Sequence, residues 1–354
     1  MTLEPPFDAI DRGGMAARIE AIPDQIEQQL ERLHGFRWQL PAAPEWLAVG
    51  AMGGSAIAAE LSAALYDDRL PRPLLRVRDS AWPAYVRLGG VALLSSYSGG
   101  TEETLALYRE AGERRVQRVV MTTGGTLGEW AARDRVSAAP LPPGSPPRAA
   151  LYAGWVTTTH LLEALGWVDD PAREWKDAAA AIRTRQGEIG IAVPEHDNPA
   201  KQLARALFGR RVLVYGAERR TGALATRMRH QLNENAKLLG HSAAVPELNH
   251  NEIVGWEAPG DEWKDTAVVV WEDAEDAPDV AARLALTAEF AADRGASVHR
   301  LATPAGARLT RLAGAVAFID YVSLYLAVLR GVDPTPIASI DEFKRRLAAR
   351  AARA

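Results

Sequence analysis

The sequence of 354 residues contains no cysteine. Disulfide bonds, a thiol nucleophile and thiolate ligands to a metal are therefore excluded. The chain also carries little excess charge, because 41 basic and 45 acidic side chains leave a net charge of −4. Such a balance gives no reason to expect a nucleic acid or an anionic membrane as a partner.

Long apolar segments are scarce as well. The longest, residues 313–329, nearly reaches the length that spans a bilayer, but Asp320 interrupts it, and we expect a buried helix there. The N-terminus lacks the basic and then apolar pattern of a secretory signal, so a cytoplasmic protein is expected. The length of the chain favours two domains of ordinary size.

Short apolar strands alternate with helical segments in the first part of the chain, after an amphipathic helix predicted at 15–38. The pattern starts again at 211–217, which indicates two similar α/β domains in tandem, each with a parallel sheet covered by helices on both faces. A proline-rich stretch at 139–148 is typical of a linker. We therefore predict domains at 1–150 and 151–354. The predicted strands lie at 46–50, 74–77, 91–94, 116–122, 211–217, 267–271 and 296–301.

A loop of hydroxyls and glycines, residues 96–101, follows the strand at 91–94 and leads into a helix. Backbone N–H groups, side-chain hydroxyls and a helix dipole would meet there, which favours a bound phosphate. The loop lacks the lysine of nucleotide-binding loops, so a small phosphorylated metabolite is favoured over a nucleoside triphosphate. Gly54 and Ser55 follow the neighbouring strand. The plainer interpretation is that Ser and Thr only cap the helices.

Four further residues are candidates for chemistry. Glu234 lies on a helix predicted at 221–239, where a single Glu is usually solvated. His250 stands between two asparagines and could shuttle a proton, or it could belong to a turn in which Asn caps a helix. A metal site of His250 and Glu252 lacks a third ligand. Arg148 follows the prolines and could reach into a cleft, and Lys344 lies on an amphipathic C-terminal helix, where lysines usually face solvent.

Six stretches resemble motifs of the bifunctional phosphoglucose/phosphomannose isomerase family, which is built from two sugar-isomerase (SIS) domains. Their order fits that family from residue 50 to the C-terminus, so the resemblance covers nearly the whole chain. The stretch at 247–252 is far more specific than the hydroxyl loop. One departure is Gly100, where family members commonly carry Asn. The six are Gly53-Gly54-Ser55, residues 96–104, 143–148, 233–237, 247–252 and 331–336.

The resemblance implies reversible conversion of glucose 6-phosphate and mannose 6-phosphate to fructose 6-phosphate through a cis-enediolate. It implies two tandem SIS-type domains, a homodimer with shared active sites, and neither a metal nor a redox cofactor. Glu234 would be the base between C2 and C1, and Arg148 would stabilise the enediolate. His250 from the neighbouring subunit would open the ring with help from Lys344, and Thr335 would lie near the C2 hydroxyl. The implied phosphate ligands are Gly54, Ser55, Ser96, Ser98 and Thr101.

Two alternative functions fit the sequence less well. A nucleotide-dependent oxidoreductase fits poorly, because Gly50–Ser55 does not match GxGxxG and Arg76 and Arg78 stand where an acidic ribose ligand is expected. A non-catalytic SIS-domain sensor of sugar phosphates would typically carry a DNA-binding segment or a regulatory surface. The chain has no basic recognition segment and keeps Glu234, His250 and Lys344.

Overall fold

The computed structural model describes residues 2–257 and 261–351, which form two parallel sheets and the helices around them. The elements of the first part are α1 (Met15–Glu20), α2 (Ile22–Leu33), β1 (Leu47–Ala51), α3 (Gly53–Tyr66), β2 (Leu74–Val77), β3 (Val91–Ser95), α4 (Glu102–Glu113), β4 (Gln117–Thr122), α5 (Gly125–Asp134) and β5 (Ala138–Pro140).

The remaining elements follow a short 3₁₀ helix at Pro147–Ala150. They are α6 (Leu151–Ala164), α7 (Ala172–Ile189), α8 (Pro199–Leu207), β6 (Arg211–Ala217), α9 (Gly222–Glu234), β7 (Gly240–Val245), α10 (Glu252–Gly255), β8 (Thr266–Glu272), α11 (Pro278–Asp293), β9 (Ser297–Ala302), α12 (Arg308–Arg330) and α13 (Ala338–Ala351).

Both sheets are parallel throughout. The first has the strand order β2-β1-β3-β4-β5, and the second has the order β7-β6-β8-β9. Their central strands β1, β3 and β8 are almost entirely buried, as expected for strands covered by helices on both faces. The prediction of two α/β units with parallel sheets is confirmed.

Strand register brings the predicted phosphate loops together. Ala51, at the end of β1, pairs with Ser95, at the end of β3, and Ser95 pairs in turn with Met121 of β4. The turn into α3 and the loop into α4 therefore leave the same edge of the first sheet side by side. In parallel sheets this carboxyl edge is where ligands collect.

A helical layer connects the two sheets. α12 packs against α7, α8 and α9, while α6 packs against α2 and α3. One apolar core extends through this layer from β1 and β3 of the first sheet to β6 and β8 of the second. α6 follows the boundary predicted at residue 150 but packs on helices of the first part, and the boundary itself stays a prediction.

α12 is long and apolar enough to cross a membrane by length and composition, but it is enclosed by other elements of the fold. Apart from half-buried Thr310, every residue from Leu309 to Leu329 is buried, including Asp320. A buried core helix is what the apolar segment with its single carboxylate predicted.

Two predicted helices had wrong bounds, and the proline-rich stretch contains part of one short edge strand. The helix predicted at 15–38 is two helices, because Pro23 lacks an N–H and fits only the first turn of α2. The proline-rich linker includes β5, an edge strand in which Pro140 pairs with Thr122. The helix predicted to continue to residue 239 ends at Glu234, and Lys237 then adopts a left-handed conformation with φ of 53°.

Candidate active site

Four hydroxyl groups predicted to bind phosphate lie on two turns at the carboxyl edge of the first sheet. Ser96 is buried, and its Oγ lies 2.8 Å from the Oγ1 of Thr101. The Oγ of Ser55 accepts a hydrogen bond of 3.3 Å from the backbone N–H of Tyr97, which ties the two turns together. Ser98 is exposed. Hydroxyls from two adjacent turns thus line one surface.

Simple helix capping does not account for these hydroxyls. Thr101 occupies the N-cap of α4 but makes no side-chain capping bond, because its hydroxyl is bonded to Ser96. Met52, the N-cap of α3, does not cap either. The first N–H groups of both helices are therefore left for another acceptor. Glu102 and Glu103 of α4 are exposed, where they favour the helix dipole.

Two glycines allow the close backbone packing of the edge. Gly99 has a φ of 69°, and a Cβ there would lie 1.9 Å from the carbonyl oxygen of Gly124. A Cβ on Gly54 would lie 2.9 Å from the backbone nitrogen of Arg148. The 3₁₀ helix that carries Arg148 therefore rests directly on the first turn of α3.

Arg148 is buried and makes contacts with the second part of the chain. Its Nε donates to the Oδ1 of Asn235 at 2.6 Å, and its Nη1 lies 3.4 Å from the Oε2 of Glu234. Its Nη2 donates to the carbonyl oxygens of Pro334 at 2.5 Å and Thr335 at 2.8 Å. Burial lowers the pKa of Arg148, and the carboxylate of Glu234 opposes that shift. An arginine keeps its charge even so.

Glu234 is the last residue of α9, and about a quarter of its side chain (26%) is exposed. Arg148 binds one carboxylate oxygen, while no hydrogen bond reaches Oε1 from any residue in the described ranges. A carboxylate that is fixed by an arginine on one side and open on the other is suited to exchange a proton with a ligand.

The strap after α12, residues 333–336, closes this end of α9. Lys237 donates to the carbonyl oxygens of Glu234 at 2.5 Å, Pro336 at 2.7 Å and Pro334 at 3.2 Å. Burial, with a smaller contribution from Arg148, lowers the pKa of Lys237. The Oγ1 of Thr335 is buried without a partner in the described part of the chain, and Thr335 packs against Gly13.

His250 and Glu234 of one chain lie at opposite ends of β7. Gly240 starts the strand and donates to the Oδ1 of Asn233 at 2.9 Å, so it is adjacent to the end of α9. Five strand steps of about 3.3 Å then separate Val245 from that contact by about 16 Å. His250 follows Val245 by a further five residues, in the 3₁₀ helix at Glu247–His250, and is exposed.

The neighbours of His250 are bonded elsewhere. The carboxylate of Glu252 accepts from the Tyr215 hydroxyl at 2.7 Å and lies 3.1 Å from the His241 ring. Asn251 binds Glu247 and caps α10. Within residues 2–257 and 261–351, no three His, Asp or Glu side chains are grouped so that they could hold a metal ion.

Lys344 lies on α13 and is exposed. The same helix exposes an apolar stripe, with exposed fractions of 40% for Ile340, 67% for Phe343 and 49% for Leu347. The spacing of these three residues places them on one helical face. The chain therefore brings Arg148, Glu234 and the hydroxyl-lined turns together, whereas His250 and Lys344 lie on exposed elements.

Sequence reasoning missed Asn235, Lys237 and Arg227. Asn235 and Lys237 stand in the motif that contains Glu234, but nothing in their spacing predicted bonds to Arg148 or to the strap. Arg227 carries no sequence signal. Its partner Asp320 does carry one, because it is the single carboxylate within a long apolar segment.

The parallel sheets and the hydroxyl-lined turns define the class of the protein, which is a tandem SIS-domain chain. Residues 196–347 match the family described as the bacterial phospho-glucose isomerase C-terminal SIS domain. The fold is similar to the C-terminal domain of glucosamine-fructose-6-phosphate aminotransferase from Francisella tularensis, with a TM-score of 0.70 at 14% identity, covering 91% of this chain and 98% of that one.

Curated relatives identify the family. The chain is 34% identical to a bifunctional phosphoglucose/phosphomannose isomerase from Caldicellulosiruptor bescii, over 92% of this chain and 97% of the relative. It is 29% identical to a protein of the same name from Aquifex aeolicus, over 84% of this chain and 88% of the relative. The chain belongs to the bifunctional phosphoglucose/phosphomannose isomerase family, and the resemblance drawn from its motifs is confirmed.

Proposed function

We propose that this protein interconverts glucose 6-phosphate and mannose 6-phosphate with fructose 6-phosphate. One observation carries the proposal beyond family membership. The half-open carboxylate of Glu234 lies beside buried Arg148, and the backbone of Arg148 rests on Gly54 in the hydroxyl-lined turn. A phosphate held at the turn would therefore anchor a sugar whose carbon chain extends toward a base and a fixed positive charge.

Phosphate binding is assigned to the carboxyl edge of the first sheet. The hydroxyls and free N–H groups there complement a phosphate without a lysine. Anchoring a group remote from the reaction orients the reacting carbons and uses binding energy to do so. The proposed phosphate ligands are Gly54, Ser55, Ser96, Ser98 and Thr101.

Glu234 is the proposed base for the isomerisation. In the open-chain aldose it takes the proton from C2, the C2–H electron pair forms the enediolate double bond, and the C1 carbonyl oxygen takes up the charge. Arg148 stabilises that negative charge from a preorganised position. The proton of the C2 hydroxyl passes to the oxygen on C1, and the oxyanion left on C2 then forms the C2 carbonyl. The double-bond electron pair takes the first proton back from Glu234 at C1, which gives the ketose, so the reaction needs no external oxidant or reductant.

Ring opening is assigned to His250 and Lys344, with the histidine supplied by a second copy of the chain in a homodimer. Two features of the single chain support this assignment. His250 and Glu234 lie at opposite ends of β7, and α13 exposes the apolar stripe Ile340, Phe343 and Leu347. An exposed apolar stripe is typical of a surface that is covered in an assembly. A cytoplasmic location stays a prediction.

The activity is tested by incubating the purified protein and a chelator with fructose 6-phosphate and assaying both aldose phosphates. We expect both products from the wild type and neither from Glu234→Gln. Glu103→Gln is the matched control, because Glu103 is an exposed carboxylate near the same turns, and it should keep both activities. Turnover that survives Glu234→Gln overturns the assignment. Binding of sugar phosphate without any turnover by the wild type would favour the sensor.

Sharing of the site is tested by mixing two inactive variants, Glu234→Gln and His250→Gln, after unfolding and refolding together. If the histidine comes from the partner, each mixed dimer has one intact and one doubly altered site. Random pairing then restores about a quarter of the wild-type activity, because about half of the dimers are mixed. No recovery in a refolded mixture, with a wild-type control that recovers fully, contradicts the shared site.

A further inference from the structure

A buried ion pair lies directly behind the candidate site. Asp320, 4% exposed on α12, accepts bonds of 2.7 and 2.9 Å from the Nη2 of Arg227 and of 3.1 Å from its Nε. Arg227 is 1% exposed and belongs to α9, the helix that ends at Glu234. Gln231, one turn further along α9, donates to the same carboxylate at 2.8 Å.

The pair extends to Arg148 in two ways. The Nη2 of Arg227 donates to the backbone carbonyl of Arg148 at 3.0 Å. On the other side, Ser323 donates to the backbone carbonyl of Asp320 at 2.7 Å and accepts from the Nδ2 of Asn235 at 2.9 Å. The Oδ1 of Asn235 in turn accepts from the Nε of Arg148. Both the backbone and the guanidinium of Arg148 are thus fixed by groups connected to one turn of α12.

Stability alone does not explain this arrangement. Removing two charges from water costs so much that a buried ion pair is often no more stabilising than apolar residues of similar volume. The surrounding core is apolar, with Val316, Ile319 and Leu324 nearby in the sequence of α12, so it could accept such residues. A reason other than stability is needed for placing an arginine and an aspartate there.

We propose that Arg227 and Asp320 are positioning residues that hold Arg148 in the orientation required by the isomerisation, an inference that rests on the proposed function. Within the described residues, no hydrogen bond joins the pair to the hydroxyl-lined turns or to Glu234, whereas one joins it to Arg148, so we expect it to act through Arg148. Removing the pair deletes the bond from Arg227 to the backbone carbonyl of Arg148, so that backbone and the guanidinium it carries are held less tightly relative to the position where the enediolate charge develops. Displacing such a group by about 1 Å can lower the rate by about 100-fold.

The test replaces both members at once, because a single substitution would leave an unpaired buried charge. Arg227→Met with Asp320→Leu removes the pair and keeps the volume. We expect kcat to fall by about 10- to 100-fold while KM for fructose 6-phosphate changes by less than about threefold, since the phosphate site is untouched. The fold is checked by circular dichroism and the melting temperature.

A second buried pair provides the matched control. Arg311, on the same helix α12, binds Asp273 at 2.9 and 3.0 Å at the second sheet, away from Arg148. Arg311→Met with Asp273→Leu should leave kcat within about twofold of the wild type. An equal loss of kcat in both double variants would overturn the inference, because the loss would then reflect general damage to the core. A folded Arg227/Asp320 double variant with wild-type kcat also overturns it.

A double-mutant cycle with Arg148→Lys tests whether the pair acts through Arg148. If the pair acts through Arg148, its removal should cost less than about threefold in the Arg148→Lys background. Full additivity of the two losses would contradict the proposal. A wild-type protein without isomerase activity would instead refute the proposed function and this inference with it. The wild-type assay shows that outcome before any variant is made.

Discussion

The carboxyl edges of the two sheets have the same strand topology but carry different side chains, hydroxyls at the first and carboxylates at the second. At the first edge, the loop after β3 is built mainly from Ser, Gly and Thr, and its hydroxyls bond to each other or accept from backbone N–H groups of the same turns. At the second edge, β8 holds the place of β3 in the strand order, but the residues after it are Asp273, Glu275 and Asp276. The first loop therefore offers donors to an anion, whereas the second carries carboxylates in the same place.

The second edge is closed by arginines of the chain itself. Arg311 binds Asp273, and Thr303 donates to the same carboxylate at 2.6 Å. Arg308 binds Glu275 and also reaches Asp68 after α3, with bonds of 2.7 and 2.9 Å. Arg220 approaches Asp68 at 3.1 Å. The charged groups that could hold a ligand instead form ion pairs, and some of these connect the second sheet to the first part of the chain.

This difference indicates that the two similar units have different roles. One edge leaves its N–H and hydroxyl groups open for a substrate, and the other satisfies its polar groups internally and holds the two parts together. The second unit still contributes to the candidate site, but through the opposite end of α9, where Glu234 meets Arg148.

The largest expected difference between the edges is in catalysis. Ser96→Ala with Thr101→Val removes two hydroxyls from the first edge and should lower kcat/KM for fructose 6-phosphate by about 100-fold, mainly through KM, since hydrogen bonds to a charged group are strong. Thr303→Val at the second edge is the control and should change kcat/KM by less than about twofold. An equal loss of kcat/KM in both variants would show that the two edges do not differ in their contribution to catalysis.

His230 of α9 should make the stability of the protein depend on pH. Burial, together with Arg229 and Arg227, lowers the pKa of His230 on α9 to about 4. Above the ordinary pKa of about 6.5, His230 is neutral in both states and has no effect. As the pH falls from about 6.5 to about 4, mainly the unfolded chain takes up the proton, so the free energy of unfolding decreases by about 3 kcal/mol.

Urea unfolding at a series of pH values checks this effect. His230→Gln should flatten the dependence within that window and leave the stability above pH 7 nearly unchanged. A variant with the same slope as the wild type would show that other groups are responsible. His34, which is exposed, provides the control substitution His34→Gln, and that change should not alter the slope.

The ion pairs of the second edge should affect stability rather than catalysis. Hydrogen bonding to Arg308, and more weakly to Arg220, holds the pKa of Asp68 well below its usual range. Asp68→Asn should lower the free energy of unfolding at pH 7 by about 1 kcal/mol, since the carboxylate is about one third exposed and solvent weakens the pair. The parameter kcat/KM should stay at the wild-type value.

The sign of the pH effect follows from the lowered pKa of Asp68. Its contribution is present above the unfolded pKa of about 3.9 and is lost as the pH falls toward the folded value. The difference between wild type and Asp68→Asn should therefore shrink below about pH 4. A difference that grows in acid would contradict the assignment, and a fall in kcat/KM would show that the second edge also serves the site.

The smallest expected effect concerns Gly100, in the loop at the first edge. A Cβ on Gly100 would meet only the Oγ of Ser98, at 3.9 Å, so a side chain has room there. Gly100→Asn should lower KM by about two- to fivefold by adding an amide donor for the phosphate. Gly99→Asn is the contrasting control, because its Cβ would collide with Gly124, and it should raise KM. An increase of KM in Gly100→Asn would contradict the role of the loop.

The local features of the fold could be predicted from the sequence. Alternating strands and helices indicated two parallel sheets, and the Ser, Gly and Thr residues after the strand at 91–94 indicated a ligand loop on the first. These features depend on contacts between residues close in sequence or on a regular period. The motifs added the family, although they assigned no partner to Arg148.

Features that depend on distant contacts could not be predicted. Residues 148 and 234 are far apart in sequence, and although the resemblance assigned both to one site, nothing in either motif shows that their side chains meet. The end of α9 at Glu234 was also missed, because the apolar pattern continues to Leu238 while the strap binds Lys237 and stops the helix. Asp320 was noticed only as an interruption, since its partner Arg227 lies on another helix.

α12 fixes the distance between the second edge and the buried pair behind Arg148. Arg311 and Asp320 stand nine positions apart on one continuous helix, about two and a half turns, so they face opposite sides about 13 Å apart along the axis. Inserting one residue between them would rotate Asp320 by about 100° away from Arg227, whereas inserting four would nearly restore its direction. The spacing of these two side chains therefore lets one helix supply a partner both to the ion pairs of the second edge and to the buried pair behind Arg148.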